Sequence, residues 1–172
     1  MSLIVTLATI PGRIGNLRPC LDSILAQTIK PDRILLWYPE KFRRFKERTP
    51  IPGYLSEYPV EIFDLEDQVA LNKLIGALLH VDDPEASIVS IDDDMLYPPH
   101  FLENLLRWSE KYPHAAIGHK GKILMNRKNP NYDQIYFIFG TIKTPCQVDV
   151  MDAAFGLLYK PRFFTEKALH PE

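Results

Sequence analysis

Ser87-Ile-Val-Ser-Ile-Asp92-Asp93-Asp94-Met-Leu-Tyr-Pro98-Pro99 is the stretch on which the reading of this chain turns. Ser87 to Ile91 is short and apolar apart from its serines, which predicts a buried strand. It runs directly into three carboxylates. Pro98 and Pro99 then open a helix, with Phe101, Leu102, Leu105, Leu106 and Trp108 facing inward. A buried strand that ends in polar ligands and hands over to a helix is the unit of an open α/β sheet. Ligands of such sheets lie beyond the carboxyl ends of the strands.

The preceding sequence repeats the alternation. Leu3 to Ala8 is an apolar, β-branched run that stops at the turn signal Pro11-Gly12. Asn16 is placed to cap a helix carrying Leu17, Leu21, Ile24 and Leu25 at helical spacing. Pro31 follows, and Arg33 to Tyr38 reads as a second buried strand, joined to the first by a right-handed parallel crossover. Residues 41–48, basic with two interleaved phenylalanines, read as a solvated helix that pins its rings on the body, or as a phosphate or acceptor patch. Val60 to Phe63 is a third strand, ending in Asp64, Glu66 and Asp67. An amphipathic helix then buries Val69, Leu71, Leu74, Ile75, Leu78 and Leu79. Ala115 to Ile117, Ile135 to Phe139 and Val148 to Val150 are later strand candidates. The class expected is α/β, with a mainly parallel central sheet between helical layers.

Composition narrows the function classes. Hydrophobic residues are 46% and charged residues 24% of the 172, the balance of an ordinary globular domain with its own core. With 20 basic against 22 acidic residues the net charge is -2, which argues against a dedicated nucleic-acid binder. Cys20 and Cys146 lack metal-ligand spacing and read as reduced thiols. The apolar opening is too short for a signal peptide or a membrane span, so a soluble, cytoplasmic protein is expected.

Three adjacent carboxylates at a strand mouth raise one another's cost of ionisation, and burial of the strand denies them full solvation. A divalent cation relieves that conflict, and hard oxygen ligands favour Mg²⁺ or Mn²⁺ over zinc. If the segment stays extended, Asp92 and Asp94 share one face while Asp93 points away. The competing reading is a helix cap with solvated turn acids.

The run from Ser87 to Pro99 looks like the D-x-D region of GT-A glycosyltransferases. Thr6-Leu-Ala-Thr-Ile-Pro-Gly-Arg13 with Leu21-Asp-Ser-Ile-Leu-Ala-Gln27 is similar to that fold's first strand and helix, and Val148 to Phe163 resembles its acceptor-side segment. Within that family the chain resembles small capsid-glycosylating transferases of large algal viruses and bacterial polysaccharide transferases. The resemblance covers nearly the whole chain, though the chain is short for the family and suits either a minimal enzyme or part of a longer multidomain protein. It implies one GT-A, Rossmann-like three-layer domain over 1–172, with a nucleotide-binding part to about 95 and an acceptor-side part beyond. It also implies an inverting transfer from a nucleotide-diphosphate sugar, a UDP-sugar foremost, to a hydroxyl on a glycan or protein-linked glycan.

Site roles follow from the same resemblance. Asp94 holds the metal and Asp92 bridges to metal or ribose, with Asp93 beside the nucleotide. Thr9, Pro11 and Arg13 grip base and ribose, Arg13 alternatively being a surface residue that pairs with the acidic loop. Asp64 either accepts from the uracil N3–H or caps the next helix. Lys73 takes the diphosphate or is an ordinary exposed lysine. Asp152 is nominated as the general base, with Asp149 its competitor and a structural acid the alternative. His170 completes the metal shell or belongs to the tail. Lys120 and Lys122 are left between diphosphate and acceptor. A phosphatase of the haloacid-dehalogenase type needs an aspartate where Thr9 to Gly12 stand, and a sugar nucleotidyltransferase wants a glycine-rich loop where only Gly12 is present. A non-catalytic nucleotide-sugar-binding module shares the triplet and has no need of Asp152.

Overall fold

The computed structural model describes residues 2–124, the backbone of 134–137, and 144–168. Its main sheet is built on β1 (Leu3–Ala8), β2 (Arg33–Trp37), β3 (Val60–Phe63) and β4 (Ser87–Ser90). These four run parallel in the order β3-β2-β1-β4. Their register pairs Val5 with Ile34 and with Val89. The sheet continues through β9 (Leu157–Tyr159) to β5 (Ile117–Gly118), and β9 is antiparallel to both neighbours. A smaller antiparallel sheet, ordered β7-β6-β8, is formed by β6 (Gly121–Leu124), β7 (Gln134–Phe137) and β8 (Val150–Met151). The fold is thus α/β with a mainly parallel central sheet of six strands.

Alternation along the strands separates two cores. Leu3, Val5 and Leu7 of β1 face α1 (Arg18–Leu25) and α3 (Phe101–Lys111), packing with Leu21, Ile24, Leu102 and Leu105. Ile4, Leu35 and Trp37 point to the opposite face, where α2 (Asn72–His80) supplies Ala77 and β9 supplies Tyr159. The sheet therefore lies between two helical layers. Near-continuous apolar strands are what two-sided burial demands.

Departures from the sequence reading have local causes. Asn16 does not cap α1: it ends a 3₁₀ turn (Ile14–Asn16), Leu17 occupies the cap without a side-chain bond, and Pro19 stands in the first turn of the helix. Residues 41–48 form bends instead of a helix, although Phe42 still packs on the core, against Tyr38. Helix α2 starts only at Asn72, because Val69–Leu71 is a 3₁₀ turn whose Val69 has φ 59°. Val69, Leu71 and Leu79 are consequently exposed, while Leu74 and Leu78 do pack on the second core. Trp108 lies on the flank of α3, stacked on Tyr112. Strand β9, missing from the sequence reading, is three residues long and follows Gly156 at φ 86°. Among the described residues no helix is long and apolar enough to cross a membrane.

Gly76 lets α2 approach the sheet, since a Cβ there would lie 2.6 Å from the Trp37 ring. Trp37 is fully buried and stacked on Phe63, so its ring has no room to retreat. Gly76→Ala is therefore expected to destabilise the protein by about 1–3 kcal/mol despite alanine's better helix propensity; a fall in the urea midpoint at unchanged m-value is the measurement.

Candidate active-site cleft

A cleft of about 150 Å³ opens at the C-terminal ends of β1, β2 and β4. Thr9 and Arg13 enter it from the β1 loop, Lys73 from the start of α2, and Asp92 and Asp93 from the end of β4. All five were singled out in the sequence. Their meeting follows from the β2-β1-β4 order, which places successive loops side by side.

Asp93 is the most constrained of the triplet. Its side chain is 1% exposed. One oxygen accepts the Thr9 hydroxyl at 2.5 Å. The other lies 2.9 Å from Arg13 Nη2, without the alignment of a hydrogen bond. Burial drives the carboxyl pKa above the ordinary aspartate value, against the opposing pull of the Thr9 bond and the Arg13 charge. Arg13 also reaches Asp94 at 2.8 Å, so it does pair with the acidic loop while lining the cleft.

The alternation expected through the triplet ends at Asp92, because Asp93 and Asp94 form a turn. Asp93 accordingly lines the cleft instead of turning from it. Asp92 is paired with Lys73, whose ammonium also donates to the Ile91 carbonyl at 3.2 Å. Lys73 is 7% exposed, not a solvated helical lysine. It is aimed inward by a relay: Trp37 Nε1 donates to Thr6 Oγ1 at 2.8 Å, and Thr6 donates to the Lys73 carbonyl at 2.8 Å. Arg13 and Lys73 thus neutralise two of the three carboxylates within the protein. Among the described residues no three His, Cys, Asp or Glu side chains converge as a ready metal cage. The donor set is still one that Mg²⁺ can use, since that ion is commonly held by one or two carboxylates together with substrate phosphates.

The remaining predicted residues lie elsewhere. Pro11 is buried in the β1 turn and is not on the cleft wall. Asp64 is exposed and accepts the Glu40 N–H at 2.8 Å, so it caps no helix. Asp152 lines a neighbouring cavity of about 430 Å³ with Lys120 and Lys122. It caps the 3₁₀ turn Ala153–Phe155 through the Ala154 N–H and pairs with Lys120 at 2.6 Å. Burial pushes its pKa up, but the Lys120 and Ala154 bonds with the charges of Lys120 and Lys73 outweigh it, and the net shift is downward. Asp149 accepts the Leu124 N–H at 2.9 Å at the edge of β6. His170 lies outside the described residues.

Two supporting residues escaped the sequence reading. Tyr97 receives the Asp92 N–H at 2.9 Å on its hydroxyl, which lies 3.0 Å from the Ala154 carbonyl and so ties the triplet to the Asp152 segment. Gln27, 1% exposed, accepts the Leu102 N–H and donates to the Pro98 carbonyl, anchoring the start of α3 on α1. A tyrosine and a glutamine beside a predicted loop give no signal of such roles without the fold.

No family model and no curated protein sequence matches the chain. Solved structures do. A CMP:2-keto-3-deoxy-manno-octonic acid synthetase complexed with CTP superposes with TM-score 0.61 at 10% identity, covering 100% of this chain and 79% of that one. The 2-C-methyl-D-erythritol 4-phosphate cytidylyltransferase of Francisella tularensis gives 0.55 at 11% identity, covering 94% and 74%. A 4-diphosphocytidyl-2C-methyl-D-erythritol synthase gives 0.55 at 9%, covering 94% and 76%. At these identities the likeness is one of fold alone: a Rossmann-like α/β architecture with a mainly parallel central sheet.

Thr9→Val removes a hydrogen bond to a buried carboxylate while keeping the side-chain shape. The expected loss is about 1.5–3 kcal/mol of stability, read from urea denaturation, with Thr9→Ser recovering most of it.

Proposed function

We propose that the protein is a nucleotide-sugar-dependent glycosyltransferase that moves a sugar from a nucleoside diphosphate to a hydroxyl acceptor. The observation that carries this reading is the convergence of Asp92, Asp93, Arg13 and Lys73 in one cleft at the carboxyl ends of parallel strands. Lys73 and Arg13 are the groups that face the diphosphate, and Thr9 with Arg13 holds Asp93 in place. Mg²⁺ or Mn²⁺ held by Asp92 and Asp94, with His170 a further ligand, would neutralise the charge of the leaving diphosphate.

Asp152 is the proposed base. It takes the proton of the acceptor hydroxyl as that oxygen attacks the anomeric carbon and the bond to the diphosphate breaks. Lys120 keeps the carboxyl ionised, and the cavity beside it gives the acceptor a place to approach. A UDP-sugar donor, a glycan or protein-linked glycan acceptor and an inverting outcome complete the proposal. A catalytically silent nucleotide-sugar-binding module is the alternative that shares the cleft. Transfer of a nucleotidyl group is a second reading, which the fold neighbours favour. Against it, the β1 loop contains one glycine and so lacks a glycine-rich phosphate cradle.

A thermal-shift panel of UDP-, GDP- and dTDP-sugars, with and without Mn²⁺, against CTP with sugar phosphates separates these readings by mass action. A rise in melting temperature with a nucleotide-sugar is expected; stabilisation by CTP alone favours nucleotidyl transfer, and no stabilisation by any nucleotide-sugar sinks the proposal. With the active donor, Asp152→Asn is expected to lower kcat by about 10²–10⁴-fold at unchanged donor affinity. The lowered pKa of Asp152 places the acid limb of kcat/KM below the ordinary aspartate range. Lys120→Met should move that limb to higher pH, because the ionised carboxylate loses its cation; an unmoved limb rejects Asp152 as the base.

A further inference from the structure

The cleft has lining residues that the roles above leave unused. Asn72, the first residue of α2, is 1% exposed and lines the cleft. Its Oδ1 accepts the Gln68 N–H at 2.6 Å, which fixes the orientation of the amide. Nδ2, carrying two protons, is then left with no hydrogen-bond partner among the described residues. A buried amide donor without an acceptor is costly, and each such group in a folded protein calls for an explanation. The backbone that sets up this arrangement is itself strained. Val69, β-branched, sits at φ 59°, lines the cleft, and gives its N–H to Asp67 at 2.8 Å. Strain of that kind gathers at ligand-binding sites.

The bend after β2 supplies more of the same wall. Pro39, Phe42 and Phe45 line the cleft there, the two rings edge to face at 5.9 Å and Phe42 braced on Tyr38 at 5.3 Å. Arg44 also lines it and pairs with no group among the described residues. The lining therefore combines two kinds of chemistry: carboxylates matched to Arg13 and Lys73, and aromatic rings with a spare amide donor. A ligand suited to both carries anionic groups, brought to the carboxylates with a divalent cation, and a flat heterocycle with a carbonyl oxygen, as a nucleoside diphosphate does.

We infer that Asn72 and Phe45 form the base-binding end of the cleft, the nucleobase ring packing on Phe45 while one of its carbonyl oxygens accepts from Asn72 Nδ2. This rests on the donor-site reading above and adds the residues that hold the base. It also gives the 41–48 stretch a role as an aromatic wall in place of a solvated helix.

The test is calorimetric titration of the wild type, Asn72→Asp, Asn72→Ser and Phe45→Ala with UDP, CDP and GDP, and with inorganic pyrophosphate, all in Mg²⁺ buffer. Asn72→Asp keeps the acceptor for Gln68 and exchanges the donor for an oxygen. Asn72→Ser and the partly exposed Phe45→Ala carry the test if the aspartate does not fold, as judged by melting without ligand. For the tightest of the three nucleotides the Asn72 variants are expected to bind about tenfold more weakly. Phe45→Ala should lose about fivefold or more, and pyrophosphate affinity should stay at the wild-type value throughout. Unchanged nucleotide affinity in folded variants overturns this inference and leaves the donor site standing. So does a parallel loss of pyrophosphate affinity, which would place the effect at the phosphate end. A wild type that binds none of the three nucleotides overturns both readings.

Discussion

The constraint on which the site depends is the burial of one carboxylate. Asp93 lies at the end of a fully buried parallel strand, and its charge can be tolerated there only if another element supplies donors. The β1 loop supplies a donor in the Thr9 hydroxyl and a countercharge in the Arg13 guanidinium. That requires β1 to neighbour β4, which the strand order provides. The surroundings register the same field. The Cys20 thiol is pushed up to about 12, first by burial and then by the charges of Asp93 and Asp94. Burial likewise raises the Tyr97 hydroxyl far above its ordinary value, so it serves as a neutral bridge between Asp92 and Ala154.

A second buried polar chain, from Trp37 through Thr6 to the Lys73 carbonyl, does for α2 what Thr9 does for β4. Thr6 sits on β1 between apolar neighbours, and its hydroxyl is satisfied on both sides. The helix start is thereby pinned over the sheet, with Gly76 allowing the close approach to Trp37. With its backbone held there, the Lys73 ammonium meets Asp92 instead of solvent. The two relays turn β1 into the spine of both the core and the cleft. Its odd residues pack on α1 and α3, while on the other face Ile4 joins the second core and Thr6 positions Lys73.

Strands β1 to β4 were legible because two-sided burial writes itself as continuous apolar runs, and the triplet stood out because charge at a strand end is conspicuous. Much of what was illegible depended on contacts distant in sequence. Lys73 looks like any helical lysine until Thr6 and Ile91 are placed around it, separated from it by 67 and 18 residues. The period of Val69, Leu71 and Leu74 suggested a longer helix, and the Asp67 and Asn72 side chains overrode it by capturing the backbone N–H groups of Val69 and Gln68. Strand β9 was hidden by its length of three residues, since its place in the sheet is set by pairing with Ser90 and Gly118. The one local hint of the buried Asn72 amide was an Asn-Lys pair opening a largely apolar helix.

Charge in the cleft also bears on how a donor enters. Arg13 and Lys73 are already matched to the triplet, leaving three carboxylates against two cations in that cluster. A diphosphate added to this set meets net negative charge, and at these separations in a partly desolvated cleft the repulsion is large. On the proposed reading the compensating charge arrives with the donor as its divalent metal, which also explains why a complete protein cage is not required. Arg44, on the aromatic wall and unpaired among the described residues, is the other cation positioned to answer it. A triphosphate would raise the demand further without any additional donor from the single-glycine β1 loop. On the proposed reading the electrostatics therefore suit a diphosphate donor better than a triphosphate, and a shared fold does not decide between the two chemistries.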